Sequence, residues 1–312
     1  MKRFIAKHSP LFILAGLCIL LAVYSDDFRK PGNLQTVASR SAIIGVIAIG
    51  QLMVILTAGI DLSVGSVAAL AGVVGCLAMK SGVPMPLGVL IGCGVGVLCG
   101  AINGALVAKG RIAPFIVTLG MMMVARGLAL LISGGKPIFG LPPSFLWLGD
   151  AKDWRIPVVI VVVLCLIFTF MLLFTRFGRS LYAIGGNKQA SRLSGVPVDR
   201  VLILAYTLSG LMAGFGGMML AAKTSIGSPT AAEMYELDTI AACVIGGASL
   251  MGGEGNAIAS VAGALIMFVL RNFCNLENLD PYWQQVLIGA LIVVLVFYDT
   301  MRKRRAGLMK AD

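Results

Sequence analysis

Ten apolar stretches separated by short polar ones account for most of the chain: 10–24, 41–60, 62–79, 85–108, 112–132, 156–175, 201–222, 237–250, 257–273 and 282–298. A helix of about 20 apolar residues crosses the hydrocarbon core of a bilayer, so the pattern predicts an all-α polytopic membrane bundle of about ten transmembrane helices. Residues 1–312 read as a single transmembrane domain with no room for a separate soluble one. The polar interruptions are of two kinds. Residues 133–155, SGGKPIFGLPPSFLWLGDAKDWR, are rich in Pro, Gly and aromatics and predict a folded external cap. Residues 176–200 are basic and close with GGNKQASRLSGVPVDR, where Asn187 is a suitable N-cap, Gly195 a suitable stop and Pro197 a barrier to continuation, predicting a short helix over 188–194.

Composition fixes the class. With 58% apolar and 12% charged residues, the chain lies outside the range of soluble domains. The net charge of +11 reads as a topology signal, since Lys and Arg accumulate on cytoplasmic loops, and no nucleic-acid partner is expected. Threaded from a cytoplasmic N-terminus, the ten spans leave 15 basic residues on the cytoplasmic side. The other side holds 9, balanced by 9 acids. Both termini are therefore expected in the cytoplasm, with the first helix uncleaved. Six of the seven cysteines lie inside apolar runs and form no CxxC pair, and the lone histidine is His8. No metal site, catalytic site or bound cofactor is expected. GGASLMGGEGN at 246–256 lacks the Lys-Ser/Thr ending of a phosphate-binding loop and reads as a turn.

Within the spans, Gly88, Gly92, Gly96, Gly100 and Gly104 recur every four residues, baring one helical face for close packing. Asp61, in LTAGIDLSVGS, is the carboxylate flanked by two long apolar runs. Gly59 and Gly65 permit a break there, with Asp61 or Ser63 capping the next helix. Asp61 reads either as such a cap or as a pore or gate residue. Arg126 lies within a span and must find Asp61, helix-end carbonyls or a polar path. Gln51, Asn103, Thr118 and Ser209 bond neighbouring helices or face a pathway.

GNKQASRLSGVPV resembles the cytoplasmic loop of ribose-, xylose- and galactose-type sugar permeases, the membrane subunits of bacterial ATP-binding-cassette importers. Asn187, Ala190, Ser194, Gly195 and Val198 match that pattern, whereas Lys188 and Gln189 replace the acidic or small residues common there. LTAGIDLSVGS (56–66), FIVTLGMMMVARGLALLISGGKPI (115–138) and YELDTIAACVIGGASLMGGEGN (235–256) resemble the same family, so the likeness runs from about 35 to 298. It implies a permease that moves a monosaccharide or related polyol by alternating access. It further implies a homodimer or a pairing with a related permease, a cytoplasmic ATPase that carries ATP and Mg, and a periplasmic sugar-binding protein. Asn187, Lys188, Ala190, Arg192, Leu193, Ser194 and Gly195 would form the ATPase-coupling loop. Glu233, Glu236, Asp238 and the 133–155 loop would face the binding protein. The rival expectation is a proton-coupled secondary sugar transporter in which Asp61 carries the proton.

Overall fold

The computed structural model describes residues 2–149, 153–280, 282–287 and part of 289–301, with residues 2–10 described by backbone alone. The helices in chain order are α1 (Lys2–Tyr24), α2 (Asp26–Arg29), α3 (Pro31–Ile55), α4 (Val64–Lys80), α5 (Met85–Ala108), α6 (Pro114–Ser133), α7 (Pro143–Leu146), α8 (Arg155–Phe174), α9 (Arg176–Gly186), α10 (Lys188–Leu193), α11 (Val198–Thr224), α12 (Tyr235–Ile245) and α13 (Ala257–Leu276). Among the described residues, six of these are long and apolar enough to cross a membrane: α3, α5, α6, α8, α11 and α13.

The predicted spans depart from this set for identifiable reasons. The apolar part of α1, Leu11–Tyr24, and the 17-residue α4 are shorter than a full crossing. The run 237–250 yields the 11-residue α12, which at 1.5 Å per residue spans about 16 Å of a core about 30 Å thick. The run 282–298 is helical where described and lies partly outside the described residues.

The bundle is built around α3 and α11. From Ala42 to Leu56, apart from its two glycines and Gln51, every residue is a buried apolar one, so α3 is apolar on all sides and sits inside protein. The outer helices α5, α6 and α8 bury only one stripe and expose Leu, Ile, Val and Phe elsewhere, which suits contact with lipid tails. The α5 glycines Gly88, Gly92, Gly96, Gly100 and Gly104 lie along the stripe facing α4 and α11. At the α5–α11 crossing a Cβ on Gly96 would collide with the Gly210 carbonyl, and one on Gly210 with the Gly96 carbonyl, so the backbones touch directly.

Two breaks interrupt this packing. The first, 56–63, joins α3 to α4, with Ala58 in the left-handed region at φ 61°. The second, 225–234, joins α11 to α12, with Ser225, Ala232 and Met234 left-handed at φ 59°, 53° and 66°. Such backbone costs a non-glycine residue free energy and persists only where the surroundings hold it. Gly227 lies against Cys76 near the end of α4, while Ala232 and Glu236 lie against Gly65 in its first turn. The second break therefore runs back along α4 and starts α12 deep within the bundle.

The 133–155 segment folds over the end of α11. Ile138 pairs with Gly227 through reciprocal backbone hydrogen bonds of 2.9 and 3.0 Å, Phe145 and Leu148 are buried, and residues 150–152 lie outside the described residues.

Candidate functional site

The residues singled out in the sequence fall into three places. At one end of the bundle, the 176–200 segment forms α9 and α10. Phe177, Leu181 and Ile184 recur at four- and three-residue spacing, giving α9 an apolar face, and Leu181 and Ile184 are buried. The face rests on the first break and on the 246–256 turn. Tyr182 Oη donates to Gly255 O at 2.8 Å, Gly253 N donates to Leu56 O at 3.0 Å, and Gly185 abuts the Leu56 carbonyl. The glycine-rich turn thus spends backbone N–H groups on the fold itself, as a turn does.

Asn187 opens α10, its Oδ1 accepting from Ala190 N at 2.9 Å. Gly195, at φ 82°, ends the turn after it, and Val196 N returns to Ser191 O at 3.0 Å. Lys188, Ala190, Arg192, Leu193 and Ser194 are exposed. Leu193 is 90% exposed, a large apolar side chain on an otherwise polar promontory. Arg192 is committed to Asp199 in the first turn of α11, Nη2 to Oδ1 at 2.6 Å, so this pair clamps α10 to α11.

Deep in the bundle, Gln51, Asp61, Ser63, Asn103 and Ser209 meet in one polar knot. Asp61, 1% exposed, accepts from Ser63 N (2.9 Å), Ser63 Oγ (2.6 Å) and Ser209 Oγ (3.0 Å). Asn103 Nδ2 donates to Ser63 Oγ at 3.0 Å. The Gln51 carboxamide sits against the backbone of Asp61, donating to its carbonyl at 3.1 Å and accepting from its N–H at 3.3 Å. Thr118 Oγ1 lies 3.0 Å from Pro114 O and 3.3 Å from Ile60 O, tying α6 to the same break. All six side chains are buried. Much of their hydrogen-bonding capacity supports the 56–63 break, while Asn103 Oδ1 is buried with no hydrogen-bond partner.

The third place is the second break. Arg126, half-exposed on α6, donates from Nη1 to Pro229 O at 2.7 Å and Ala231 O at 2.9 Å. Of the alternatives open in the sequence, it takes the backbone carbonyls, and Asp61 is occupied elsewhere. Glu236 Oε2 is buried with no hydrogen-bond partner. Asp238 is 2% exposed and accepts from Arg271 Nη2 at 2.6 Å. A carboxylate so enclosed cannot serve as exposed docking surface, which corrects that expectation for Asp238. Glu233 is exposed.

A helical membrane bundle with two broken segments, both reaching its interior, is an architecture that transporters use. Comparison with known proteins gives the family. Residues 33–296 match the family described as branched-chain amino acid transport system / permease component, and the chain belongs to it. It is 41% identical over 304 residues to the ribose import permease protein RbsC of Bacillus subtilis (strain 168), covering 96% of this chain and 94% of that one. It is 38% identical to the fructose import permease protein FrcC of Rhizobium meliloti (96% and 86% covered) and 38% identical to the L-arabinose transport system permease protein AraH of Escherichia coli (strain K12) (96% and 92% covered). No solved structure matches the chain.

Proposed function

We propose that this chain is the membrane-spanning subunit of an ATP-driven importer that carries a monosaccharide or related polyol across a bacterial inner membrane. The relatives named for ribose, fructose and L-arabinose support the substrate class. The observation that carries the mechanism is the α9–α10 promontory, a small capped helix presenting Leu193 to solvent and braced on the buried frame. An exposed apolar side chain ringed by polar ones suits a docking contact, and the partner is a cytoplasmic ATPase that holds ATP and Mg. A periplasmic sugar-binding protein delivers the sugar at the opposite end, and two permease subunits pair around the pathway. The chain contributes ten membrane segments in one domain, with both termini cytoplasmic. α12 crosses as a half-helix preceded by an irregular stretch.

Transmission follows from the contacts. A push on α10 reaches α11 through Arg192–Asp199, and α9 passes it to Leu56 at the head of the first break. α11 packs on α3, α4 and α5 and leads into the second break, so both irregular segments move with the promontory. The first break and the second then shift together, opening the pathway to alternate sides. The proton-coupled reading draws no support, because Asp61 is enclosed by Ser63 and Ser209 and has no contact with Arg126.

Leu193→Asp tests the reading. Arg192 is unsuitable because changing it also breaks the clamp on α11. The parent should bring vanadate-sensitive ATPase activity through gentle purification from its host, and the variant should lose at least about tenfold of it, the equivalent of ~1.4 kcal/mol of docking energy, at unchanged thermal stability. Retention of the ATPase by the variant would remove α10 from the interface. Absence of an ATPase from the parent after crosslinking, together with ionophore-sensitive uptake, would sink the importer reading.

A further inference from the structure

A cavity of about 760 Å³ opens at the end of the bundle opposite α10. The two are separated by the length of α11, 27 residues or about 40 Å. Its wall is drawn from α3, the end of α11, the start of α12, the end of α13 and the first turns of the helix beginning at 282. It therefore leads from the bundle end to the second break. Resting on the importer reading, we infer that this cavity is a sugar-binding site of the permease itself, one that takes a neutral polyhydroxylated ligand without the binding protein.

Its polar groups are of the kind hydroxyls need. Asp238 lines the cavity with one carboxylate oxygen bound to Arg271 and the other, Oδ2, buried with no hydrogen-bond partner. Because Oδ2 is shut off from the cavity, a ligand would meet Arg40 and Glu233, both exposed on the wall, rather than this oxygen. Asn275 and Gln284, joined by a 2.8 Å hydrogen bond from Gln284 Nε2 to Asn275 Oδ1, add amides that both donate and accept. Tyr235 and Phe268 supply ring surface for the C–H face of a pyranose or furanose.

The wall carries Arg40, Lys223 and Arg271 against Glu233 and Asp238, with Arg271 paired to Asp238. Charges of both signs on one wall supply donors and acceptors to the hydroxyls of a neutral ligand, and competition by inorganic phosphate separates that ligand from an anion. The volume lies within the range of small-molecule sites and leaves room for a monosaccharide with its water. Selectivity would then be read twice, once by the soluble receptor and again at this vestibule.

The test uses full-length permease in lipid nanodiscs, probed by saturation-transfer NMR with D-ribose, D-fructose and L-arabinose, alongside uptake of the same sugars by cells. Two variants accompany it: Asn275→Ala with Gln284→Ala, and Gln285→Trp, which fills the cavity from an exposed rim position. The expected result is saturable transfer to at least one sugar in the parent, weakened about tenfold or more in both variants, with thermal melting unchanged. Transfer that survives undiminished in both variants overturns the site, as does displacement of the sugar by excess inorganic phosphate. No transfer from the parent to any of the three, while cells still import one, also overturns the site and leaves the importer reading intact. Binding to the parent with no ATP-dependent uptake of any of the three would instead uphold the site and overturn the importer reading for these sugars.

Discussion

Asp61 shows how one buried carboxylate can be explained without giving it a proton to carry. It gathers three hydrogen bonds in the interior, from two serines that stand 148 and 2 residues away in the chain, and so ties α11 to the start of α4. Hydrogen bonds to a charged group contribute about 1.5–3 kcal/mol each. Asp61→Ala should therefore lower stability by roughly 3 kcal/mol or more, read as a drop in the melting temperature of the detergent-solubilised protein. Asp61→Asn keeps shape and some bonding and should support uptake within about threefold of the parent; abolished uptake at normal stability would restore the proton-carrier reading. Arg126 is the complementary case. Its guanidinium satisfies the carbonyls of Pro229 and Ala231 from α6 through the single nitrogen Nη1, a task that a lysine ammonium, with three donors on one nitrogen, can take over in part. Amide hydrogen exchange in 225–234 should quicken by about tenfold or more in Arg126→Leu and by less in Arg126→Lys. Equal exchange in parent and Arg126→Leu would show that the arginine does not hold the break.

At the scale of elements, the glycine faces do what side chains do in soluble cores. Bilayer helices gain little from apolar burial against one another and depend on close backbone approach. Gly96 meets the Gly210 carbonyl and Gly100 the Tyr206 carbonyl, so α5 and α11 approach without intervening side chains. Gly96→Val should cost on the order of 3 kcal/mol or abolish assembly. Gly120→Ala, where no heavy atom lies within 4 Å of an added Cβ, should be close to neutral. Thermal melting of the two variants separates contact from composition. The four-residue spacing of the α5 glycines was readable in the sequence because it is a local, periodic signal. So was the capped helix at 188–193, announced by Asn187, Gly195 and Pro197. The broken spans were less readable. Ala232 and Met234 take left-handed backbone though neither type favours it, because tertiary contacts at Gly65 and Arg126 impose it, and a hydropathy run cannot register such a constraint. Pro229 was the local hint of the second break. α9 escaped notice for another reason. Its apolar spacing at Phe177, Leu181 and Ile184 was present, but it sits among the arginines of a basic loop. The Gln51, Asp61, Ser63 and Asn103 knot joins α3, its following break and α5, so only the folded bundle brings it together.

For the whole molecule, the transport reading stands or falls on which end faces the ATPase. The proposed ten-span topology puts α10 in the cytoplasm, since that threading leaves 15 basic residues on its side against 9 on the other, where 9 acids offset them. The chain carries its own reporter. Cys274, half-exposed near the end of α13, lies at the cavity end of the bundle, whereas Cys76, Cys93, Cys99, Cys165 and Cys243 are buried. With Cys18 replaced by serine, a membrane-impermeant maleimide should label Cys274 in intact spheroplasts. Gln189→Cys, on exposed α10, should react only in inside-out vesicles. The reverse pattern would put Leu193 outside the cell, where no ATPase could reach it, and would leave the cavity facing the cytoplasm as an exit rather than an entrance. The predicted pattern places the cavity where a soluble receptor releases its sugar and the promontory where ATP is hydrolysed, with α11 as the rigid element that connects them.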